Sequence, residues 1–241
     1  MIEAVLFDLD ETLLDLNLDA YVRSFSISRV GLVSRIARMP SIRVAVPYWR
    51  ALVGMLGNRH DDLTNISFLN GRLEELSGIP LDDPVISECI AFYDREVFNP
   101  SARSSHAIGA RPMPGAHRCL EACLRLGVKV ALATNPTFPE VCTRERMSWA
   151  GIADFPFDHV TFIENATRAK PWPRYYEEVC AALGTCPENS LMVGNDPKND
   201  FAAGGLGLRT CYVGRKAVKK AWWNGDLESL SKELPRLIEL G

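Results

Sequence analysis

The most constraining feature of the sequence is a short apolar run near its N-terminus that ends in two aspartates. The run covers Ile2 to Leu9. Asp8 is its second-to-last residue, and Asp10 directly follows it. Apolar runs of this length are typical of a strand that is buried on both faces of a parallel sheet. Because alternate strand residues point to the same side, the two carboxylates should lie close together where the strand ends.

Two interpretations of this acid pair are open at this point. The ordinary one is a strand end followed by a polar helix cap. The other starts from the repulsion between two adjacent anions, which a cation would relieve. Mg²⁺ suits the position because it takes oxygen ligands and needs only one or two carboxylates besides substrate phosphate oxygens. Thr12 adds a hydroxyl or an N–H where the chain turns.

Later in the chain, apolar β-type runs alternate with segments of helical periodicity. The predicted strands are Val128–Ala133, Phe157–Ile163, Ser190–Val193 and Thr210–Val213. The first predicted helix begins at Pro114. Further helices are predicted over Pro139–Ala150, Arg174–Leu183 and Phe201–Leu206, and in the tail from Leu227. Strands that alternate with helices form a parallel sheet with right-handed crossovers. We therefore predict an α/β fold, a Rossmann-like parallel sheet flanked by helices.

The segment between the first two predicted strands has a different pattern. Apolar residues recur there at helical spacing, with loop signals between the helices. The helical stretches are Val30–Ala37, Pro47–Leu56, Leu63–Leu76 and Pro84–Phe98. We predict that residues 1–15 and 107–241 form the α/β core and that residues 16–106 are an all-helical insertion.

The charges of this insertion are segregated along the chain. Between Ala20 and His60 there are seven arginines and no acid, whereas Asp61 to Pro100 holds nine acids and two arginines. The basic half could face an anionic ligand or a complementary surface, but we favour a solvated helical face. The net charge of −3 lacks the basic signature of nucleic-acid-binding proteins, so no nucleic-acid partner is predicted.

Composition narrows the class of protein further. The chain of 241 residues is 47% hydrophobic and 24% charged, a balance typical of a folded globular protein. No stretch approaches the roughly 20 apolar residues of a membrane span, and no basic region with a signal core begins the chain. We therefore predict no membrane partner and a cytoplasmic location. The seven cysteines contain no CxxC pair and are interpreted as reduced thiols.

Polar residues follow the ends of four predicted strands. Taken singly, each has an ordinary explanation as a turn, an exposed lysine or a loop. Because the carboxyl ends of parallel strands lie along one edge of a sheet, these groups can converge there. They are Asp8, Asp10 and Thr12, then Thr134 and Asn135, then Lys170 in the loop after its strand, and finally Asp196 and Asp200.

In this order, the motifs resemble those of the haloacid dehalogenase-like hydrolase superfamily. FDLDETL is similar to its first motif, DxDxT, and LATN is similar to its hydrophobic strand that ends in Thr or Ser. AKPWPRYY resembles the lysine motif, and VGNDPKND resembles the final acidic motif. The helical insertion lies where this family carries a cap domain. The resemblance implies a phosphatase that acts on a small phosphorylated metabolite, with Mg²⁺ as its cofactor.

The resemblance also implies catalytic roles. Asp8 would be the nucleophile that forms an aspartyl-phosphate intermediate. Asp10 would be the general acid toward the leaving group and then the general base for water. Lys170 would neutralise Asp8 and the transferring phosphoryl group. The implied phosphate-binding residues are Thr12, Thr134, Asn135 and Lys170.

The implied metal ligands include one departure from the family pattern. Mg²⁺ would be held by Asp8, the backbone carbonyl of Asp10 and Asp196, with Asp200 orienting the metal shell from behind. In many relatives, however, the first acid of the final motif directly follows the glycine, and here Asn195 intervenes. We prefer Asp196 because a carboxylate binds Mg²⁺ better than an amide does.

Several alternatives stay open within and outside this family. A phosphomutase would use the same residues with a different acceptor, whereas a dehalogenase needs Asp8 but neither a metal nor a second acid. A phospho-accepting receiver-like domain also carries acids, a Thr and a Lys at strand ends, but the long insertion argues against it. A binding-only domain would be expected to have lost Asp8 or Asp10. The sequence leaves open whether the protein is a monomer or a homodimer.

Overall fold

A six-stranded sheet, parallel throughout, organises the structure. The computed structural model describes residues 1–201 and 205–241. The strands are β1 (Ala4–Phe7), β2 (Leu14–Asp15), β3 (Arg111–Pro112), β4 (Lys129–Leu132), β5 (His159–Val160), β6 (Ser190–Gly194), β7 (Arg209–Val213) and β8 (Trp223–Gly225). The main sheet has the order β5-β4-β1-β6-β7-β8, and β2 and β3 form a small antiparallel pair beside it. The predicted α/β fold is confirmed.

Strand β1 lies at the centre of the sheet, and its register places the acid pair between two neighbouring strand ends. Phe7 lies opposite Leu132 of β4 and Val193 of β6. The N–H of Asp8 donates to the carbonyl of Val193 at 2.9 Å, which extends the pairing by one residue. Asp8 therefore emerges directly between the ends of β4 and β6, where the second and fourth polar motifs follow.

Helices cover both faces of the sheet. They are α6 (Ala116–Leu126), α7 (Glu140–Trp149), α8 (Pro173–Ala182) and α9 (Leu227–Leu240). The side chains of β1 alternate between two apolar clusters: Val5 and Phe7 belong to the one that includes α6 and α9, and Ala4 and Leu6 to the one that includes α8. All four β1 side chains are fully buried, and each large one contributes about 1.5–3 kcal/mol to folding.

Helices are the regular elements of the predicted insertion. Its helices are α1 (Leu18–Ala37), α2 (Ser41–Leu56), α3 (Asn65–Ser77), α4 (Pro84–Tyr93) and α5 (Asn99–Arg103), with a π-helical turn over Asp94–Phe98. Side chains of Asn17, Thr64 and Asp83 cap the first turns of α1, α3 and α4 and so fix where these helices begin. No strand occurs in residues 16–106, all of which the structure describes. The division of the chain into two domains stays a prediction.

The connection between α2 and α3 docks onto the loop after β5, which carries Lys170. The N–H of Asn65 donates to the carbonyl of Ala166 at 2.8 Å, and its side-chain amide donates to the carbonyl of Arg168 at 3.0 Å. The buried guanidinium of Arg59 donates to Thr167 in the same loop and to Asn65 at 2.8 Å. The helical insertion is therefore hydrogen-bonded to the loop that bears one of the predicted catalytic residues.

Some element boundaries differ from the sequence prediction. Helix α2 begins at Ser41 and contains Pro47 in its interior, although we expected the proline to mark its start. Strand β8 was missed because a run of three residues that includes Gly225 gives no usable periodicity. The predicted helix over Phe201–Leu206 includes residues 202–204, which lie outside the described residues.

The arginine-rich half of the insertion is mostly a solvated surface, as we favoured. Five of its arginines are exposed, namely Arg23, Arg35, Arg38, Arg43 and Arg50. The other two are buried and have defined partners: Arg59 holds the loop described above, and Arg29 pairs with Asp94 at 2.5 Å. No helix in the described part of the chain has both the length and the apolar character needed to cross a lipid bilayer.

The cysteines give a direct test of this packing. Five are buried, and burial raises the pKa of Cys123 and of Cys142 to about 12, so these thiols stay protonated and unreactive. Only Cys89 and Cys186 are exposed. We predict that an aromatic disulfide reagent at pH 8 modifies two thiols rapidly and the others only after unfolding in guanidinium. Rapid modification of more than two thiols in the native protein would contradict the packing of the core.

Candidate active site

A tight turn after β1 brings Thr12 back beside Asp8. The carbonyl of Leu9 accepts hydrogen bonds from the N–H groups of Thr12, Leu13 and Leu14 at 2.9–3.2 Å. Glu11 adopts a left-handed conformation with a φ of 60°, which costs a non-glycine residue about 1–2 kcal/mol. The buried apolar side chains around the turn hold this conformation, and the acid pair and Thr12 are thereby confined to one small volume.

Both carboxylate oxygens of Asp8 have a donor. The Lys170 ammonium donates to Oδ1 at 2.8 Å, and the Thr12 hydroxyl is 3.2 Å from Oδ2. Asp8 is itself 8% exposed, so the carboxylate is nearly dry but accessible. A desolvated, oriented anion with a fixed countercharge can act as a nucleophile toward an electrophilic centre that enters from the open side.

Lys170 lies between two acids. Its ammonium donates to Asp8 and, at 2.7 Å, to Oδ1 of Asp200, and both Lys170 and Asp200 are buried. The two carboxylates raise the pKa of Lys170 well above its usual value against the opposing effect of burial, whereas burial raises the pKa of Asp200. The first shift favours a charged Lys170, whereas the second favours a protonated Asp200. Because one ammonium directly contacts two carboxylates, we take Lys170 to be charged.

Asp10 has a cation of its own, which the sequence reading missed. Arg146 of α7 donates from Nη1 to Oδ2 of Asp10, and the arginine side chain is fully buried. Burial raises the pKa of Asp10; Arg146 opposes this shift and Asp8 adds to it. The sequence does contain an indication of this ion pair. Arg146 lies four residues after Cys142, on the apolar face of a predicted helix, and a charge on such a face requires a buried partner.

The second predicted motif supports the lysine loop. The side-chain oxygen of Asn135 accepts a hydrogen bond from the backbone N–H of Lys170 at 3.2 Å. The backbone carbonyl of Thr134 accepts hydrogen bonds from the hydroxyls of Thr161 and Tyr175 at 2.7 and 2.8 Å. The end of β4 is thus tied to the loop after β5, and Thr134 is buried beside it. The phosphate-binding roles of Thr12, Thr134 and Asn135 stay predictions.

The final motif is arranged differently from our preference. The side chain of Asn195 lies next to Thr12, with 3.1 Å between the Asn195 Oδ1 and the Thr12 hydroxyl. Asp196 instead accepts hydrogen bonds within its own loop, from the N–H of Lys198 at 2.9 Å and from the amide of Asn199 at 2.6 Å. The structure therefore brings Asn195 to Thr12, which contacts Asp8, and engages the Asp196 carboxylate within its own loop, while the choice of metal ligand between the two stays a prediction.

The oxygen donors of the site suit a hard cation. No group of three or more His, Cys, Asp or Glu side chains gathers as a metal cluster anywhere in residues 1–201 and 205–241. Mg²⁺, however, needs only one or two carboxylates and keeps several water or phosphate ligands. The Asp8 carboxylate, the Asp10 backbone carbonyl and the Asn195 amide oxygen form a donor set of this kind. Magnesium binding stays a prediction, and Asp200, occupied by Lys170, could act on it only indirectly.

The fold and this arrangement define a class of hydrolase. The model of the haloacid dehalogenase-like hydrolase family matches residues 2–205, which is most of the chain. The protein therefore belongs to the haloacid dehalogenase-like hydrolases, and the family resemblance of the four motifs is confirmed.

Two curated proteins are similar over part of the chain. A haloacid dehalogenase-like hydrolase domain-containing protein 3 from Xenopus laevis is 26% identical over 132 residues, covering 52% of this chain and 50% of that protein. A phosphoserine phosphatase from Thermus thermophilus is 34% identical over 103 residues, covering 42% of this chain and 40% of that protein. The chain thus spans about half the length, or less, of the curated relatives it matches.

Solved structures share the whole fold at low sequence identity. A HAD phosphatase from Thermococcus onnurineus has a TM-score of 0.54 at 19% identity, covering 98% of both chains. An L-2-haloacid dehalogenase from Xanthobacter autotrophicus has a TM-score of 0.54 at 18% identity, covering 98% of this chain and 99% of that one. Structures of β-phosphoglucomutases are similar as well. These likenesses establish the fold and are compatible with more than one chemistry.

The buried position of Lys170 predicts a large stability effect. Replacing Lys170 with Met leaves Asp8 and Asp200 without their shared cation, so we expect the free energy of unfolding to fall by about 3–5 kcal/mol in urea denaturation. Adding Asp200→Asn should recover part of this loss, because it removes one of the two stranded charges. The exposed Lys198 is the control, and Lys198→Met should change stability by less than about 0.5 kcal/mol. Equal effects of the two lysine substitutions would rule out this electrostatic arrangement.

Proposed function

We propose that the protein is a Mg²⁺-dependent phosphohydrolase that acts on a small phosphorylated metabolite through an aspartyl-phosphate on Asp8. The observation that carries the proposal is the setting of Asp8, whose two oxygens contact Lys170 and Thr12 while a second acid lies two residues away. A fixed anion beside a fixed ammonium can approach a phosphoryl group and stabilise the charge that develops on it.

The reaction has two balanced steps. A carboxylate oxygen of Asp8 attacks phosphorus, the bond from phosphorus to the ester oxygen breaks, and Asp10 gives its proton to the departing oxygen. A water molecule then attacks phosphorus of the aspartyl-phosphate and gives a proton to Asp10, the bond from phosphorus to the Asp8 oxygen breaks, and inorganic phosphate leaves with the Asp8 carboxylate restored. Lys170 keeps its proton throughout and offsets negative charge on Asp8 and on the phosphoryl oxygens.

The proposed Mg²⁺ would allow the anionic nucleophile and the anionic phosphate to approach each other. Asp8, the Asp10 carbonyl and Asn195 are the residues that would hold Mg²⁺, and the ion would supply charge neutralisation between the nucleophile and the phosphate. Thr12, Thr134 and Asn135, at the strand ends, are the residues that we propose to orient phosphate oxygens. The Glu11 carboxylate, 3.4 Å from the Asn195 amide nitrogen, constrains the orientation of that amide.

A cleft beside the site has room for a small substrate. It has a volume of about 780 Å³ and is bordered by Thr12 and Asn195 together with residues from the ends of β7 and β8. A second cavity of about 170 Å³ lies between the helical insertion and the core, lined by Arg29, Tyr48 and Glu164 among others. The open cleft borders Thr12, whose hydroxyl contacts Asp8, so we propose it as the approach for the phosphate ester. The expected cytoplasmic location stays a prediction.

The alternative functions differ in the product that each would release. A dehalogenase attacks carbon with its aspartate and releases halide, and it has no use for a second acid held at a fixed cation. A phosphomutase returns the phosphoryl group to a sugar and releases little inorganic phosphate. A receiver-like or binding-only domain would hold or bind phosphate without turnover. The paired carboxylates of this site favour phosphoryl transfer over dehalogenation, and the release of inorganic phosphate separates the hydrolase from the phosphomutase.

The first test is hydrolysis of a generic aryl phosphate. We expect the purified protein to release p-nitrophenolate from p-nitrophenyl phosphate with Mg²⁺ and to stop when EDTA is added. Asp8→Asn should lower kcat by about a thousandfold or more, because it removes the nucleophile. The control is Asp154→Asn, since Asp154 is exposed and lies outside the proposed substrate cleft. Activity that survives EDTA, or an Asp8→Asn variant as active as wild type, would contradict the proposal.

The second test separates Asn195 from its neighbour. We expect Asn195→Ala to raise the Mg²⁺ concentration for half-maximal activity by about tenfold and Asp196→Ala to raise it by less than about threefold. Asn195→Asp should lower the requirement, because a carboxylate is the stronger ligand. Thermal unfolding midpoints across a Mg²⁺ titration give the same ranking without turnover. The opposite ranking would return the ligand role to Asp196.

A further inference from the structure

The buried side chain of Arg146 on α7 has packing and hydrogen-bond contacts that restrict its position. Phe138 and Tyr21 lie over the Arg146 guanidinium, with their ring centroids 4.5 and 5.1 Å from its central carbon. Its Nη2 is 3.3 Å from the Thr143 hydroxyl, and its Nε donates to the Cys142 carbonyl at 3.4 Å. An arginine that is 0% exposed and packed against two aromatic rings has little freedom to leave its position.

This guanidinium contacts only one of the two oxygens of Asp10. Arg146 donates to Oδ2, whereas Oδ1 is buried and has no hydrogen-bond partner among the residues that the structure describes. A buried carboxylate oxygen without a partner is costly unless another group occupies it at some stage of function. The two oxygens of Asp10 are therefore not equivalent.

Arginine chemistry decides which oxygen can carry a proton. A guanidinium has only donors and stays charged, so the oxygen that faces it must accept and cannot also present a proton toward it. When Asp10 is protonated, its proton is therefore on Oδ1. The oxygen that the protein leaves free is the one through which a proton can be given or taken.

We propose that Arg146 is a positioning residue that holds Oδ2 of Asp10 so that proton transfer occurs through Oδ1, an inference that rests on the proposed phosphohydrolase function. In the first step, the O–H bond at Oδ1 breaks and an O–H bond forms on the ester oxygen as that oxygen leaves phosphorus. In the second step, a proton of the attacking water passes to Oδ1. Arg146 touches neither the phosphate nor the leaving group.

The support of the acid is shared between the core and the helical insertion. Arg146 and Phe138 belong to the core, but Tyr21 is on α1, the first helix of the insertion. The edge of this ring also packs against Phe138, with the centroids 5.1 Å apart. The orientation of Asp10 thus depends on how α1 sits against α7, and the insertion contributes to the acid without reaching the phosphate.

The test compares two aryl esters that differ in their need for an acid. p-Nitrophenolate leaves readily without a proton, whereas the more basic phenolate needs one, so a misplaced acid slows phenyl phosphate selectively. We expect Arg146→Lys and Arg146→Gln to lower kcat/KM for phenyl phosphate by about 10- to 100-fold and for p-nitrophenyl phosphate by less than about threefold. Arg144 on the same helix is exposed and paired with Glu140, so Arg144→Gln should leave both esters unchanged.

A second background checks that the effect passes through Asp10. In an Asp10→Asn protein, Arg146→Lys should produce no further change in the ratio of the two kcat/KM values. Arg146→Lys keeps the buried positive charge and serves as the folded variant if Arg146→Gln unfolds, which thermal unfolding measures. A wild-type protein that hydrolyses neither ester contradicts the proposed function and this inference with it. An active wild type whose Arg146 variants slow both esters equally, or neither, overturns this inference alone.

Discussion

The structure depends on giving each of two neighbouring buried carboxylates a separate cation. Asp8 and Asp10 lie two residues apart at the end of the central strand, and a buried charge without a partner costs several kcal/mol. Lys170 serves Asp8 and Arg146 serves Asp10, so the two acids share neither a proton nor a counterion. In the proposed reaction, this separation would let one acid stay anionic as a nucleophile while the other exchanges a proton.

The two cations come from distant parts of the chain, and the sheet order is what brings them in. Lys170 follows β5 at the edge of the sheet, and its loop is drawn toward β1 by Asn135 at the end of β4. Arg146 comes from α7, the helix between β4 and β5, on the face that packs toward the insertion. The parallel sheet therefore positions both charges with ordinary crossovers, and the helical insertion completes the enclosure by packing Tyr21 onto one of them.

Sequence reasoning recovered the parts of the site that follow strand ends, because strand periodicity and parallel topology make their convergence a geometric necessity. It recovered Asp8, Asp10 and Lys170 for that reason. It missed Arg146, whose position depends on which face of α7 is buried and on the aromatic rings packed around it. Ligand chemistry favoured Asp196 over Asn195, whereas the structure places Asn195 beside Thr12 and engages the Asp196 carboxylate with the N–H of Lys198, so this choice stays a prediction. Residues in contact only through side-chain packing leave no fixed spacing to read.

The neutral side chain of Asn195 has an electrostatic consequence for the whole cluster. Three buried acids, Asp8, Asp10 and Asp200, face two buried cations, which leaves one negative charge in excess when all three acids are ionised. An aspartate at position 195 would add a further negative charge beside Thr12 and increase the repulsion within the cluster. The Asn195 amide supplies an oxygen donor without this charge. In the proposed reaction, the neutral amide would therefore reduce the electrostatic repulsion between the Asp8 carboxylate and an incoming phosphate.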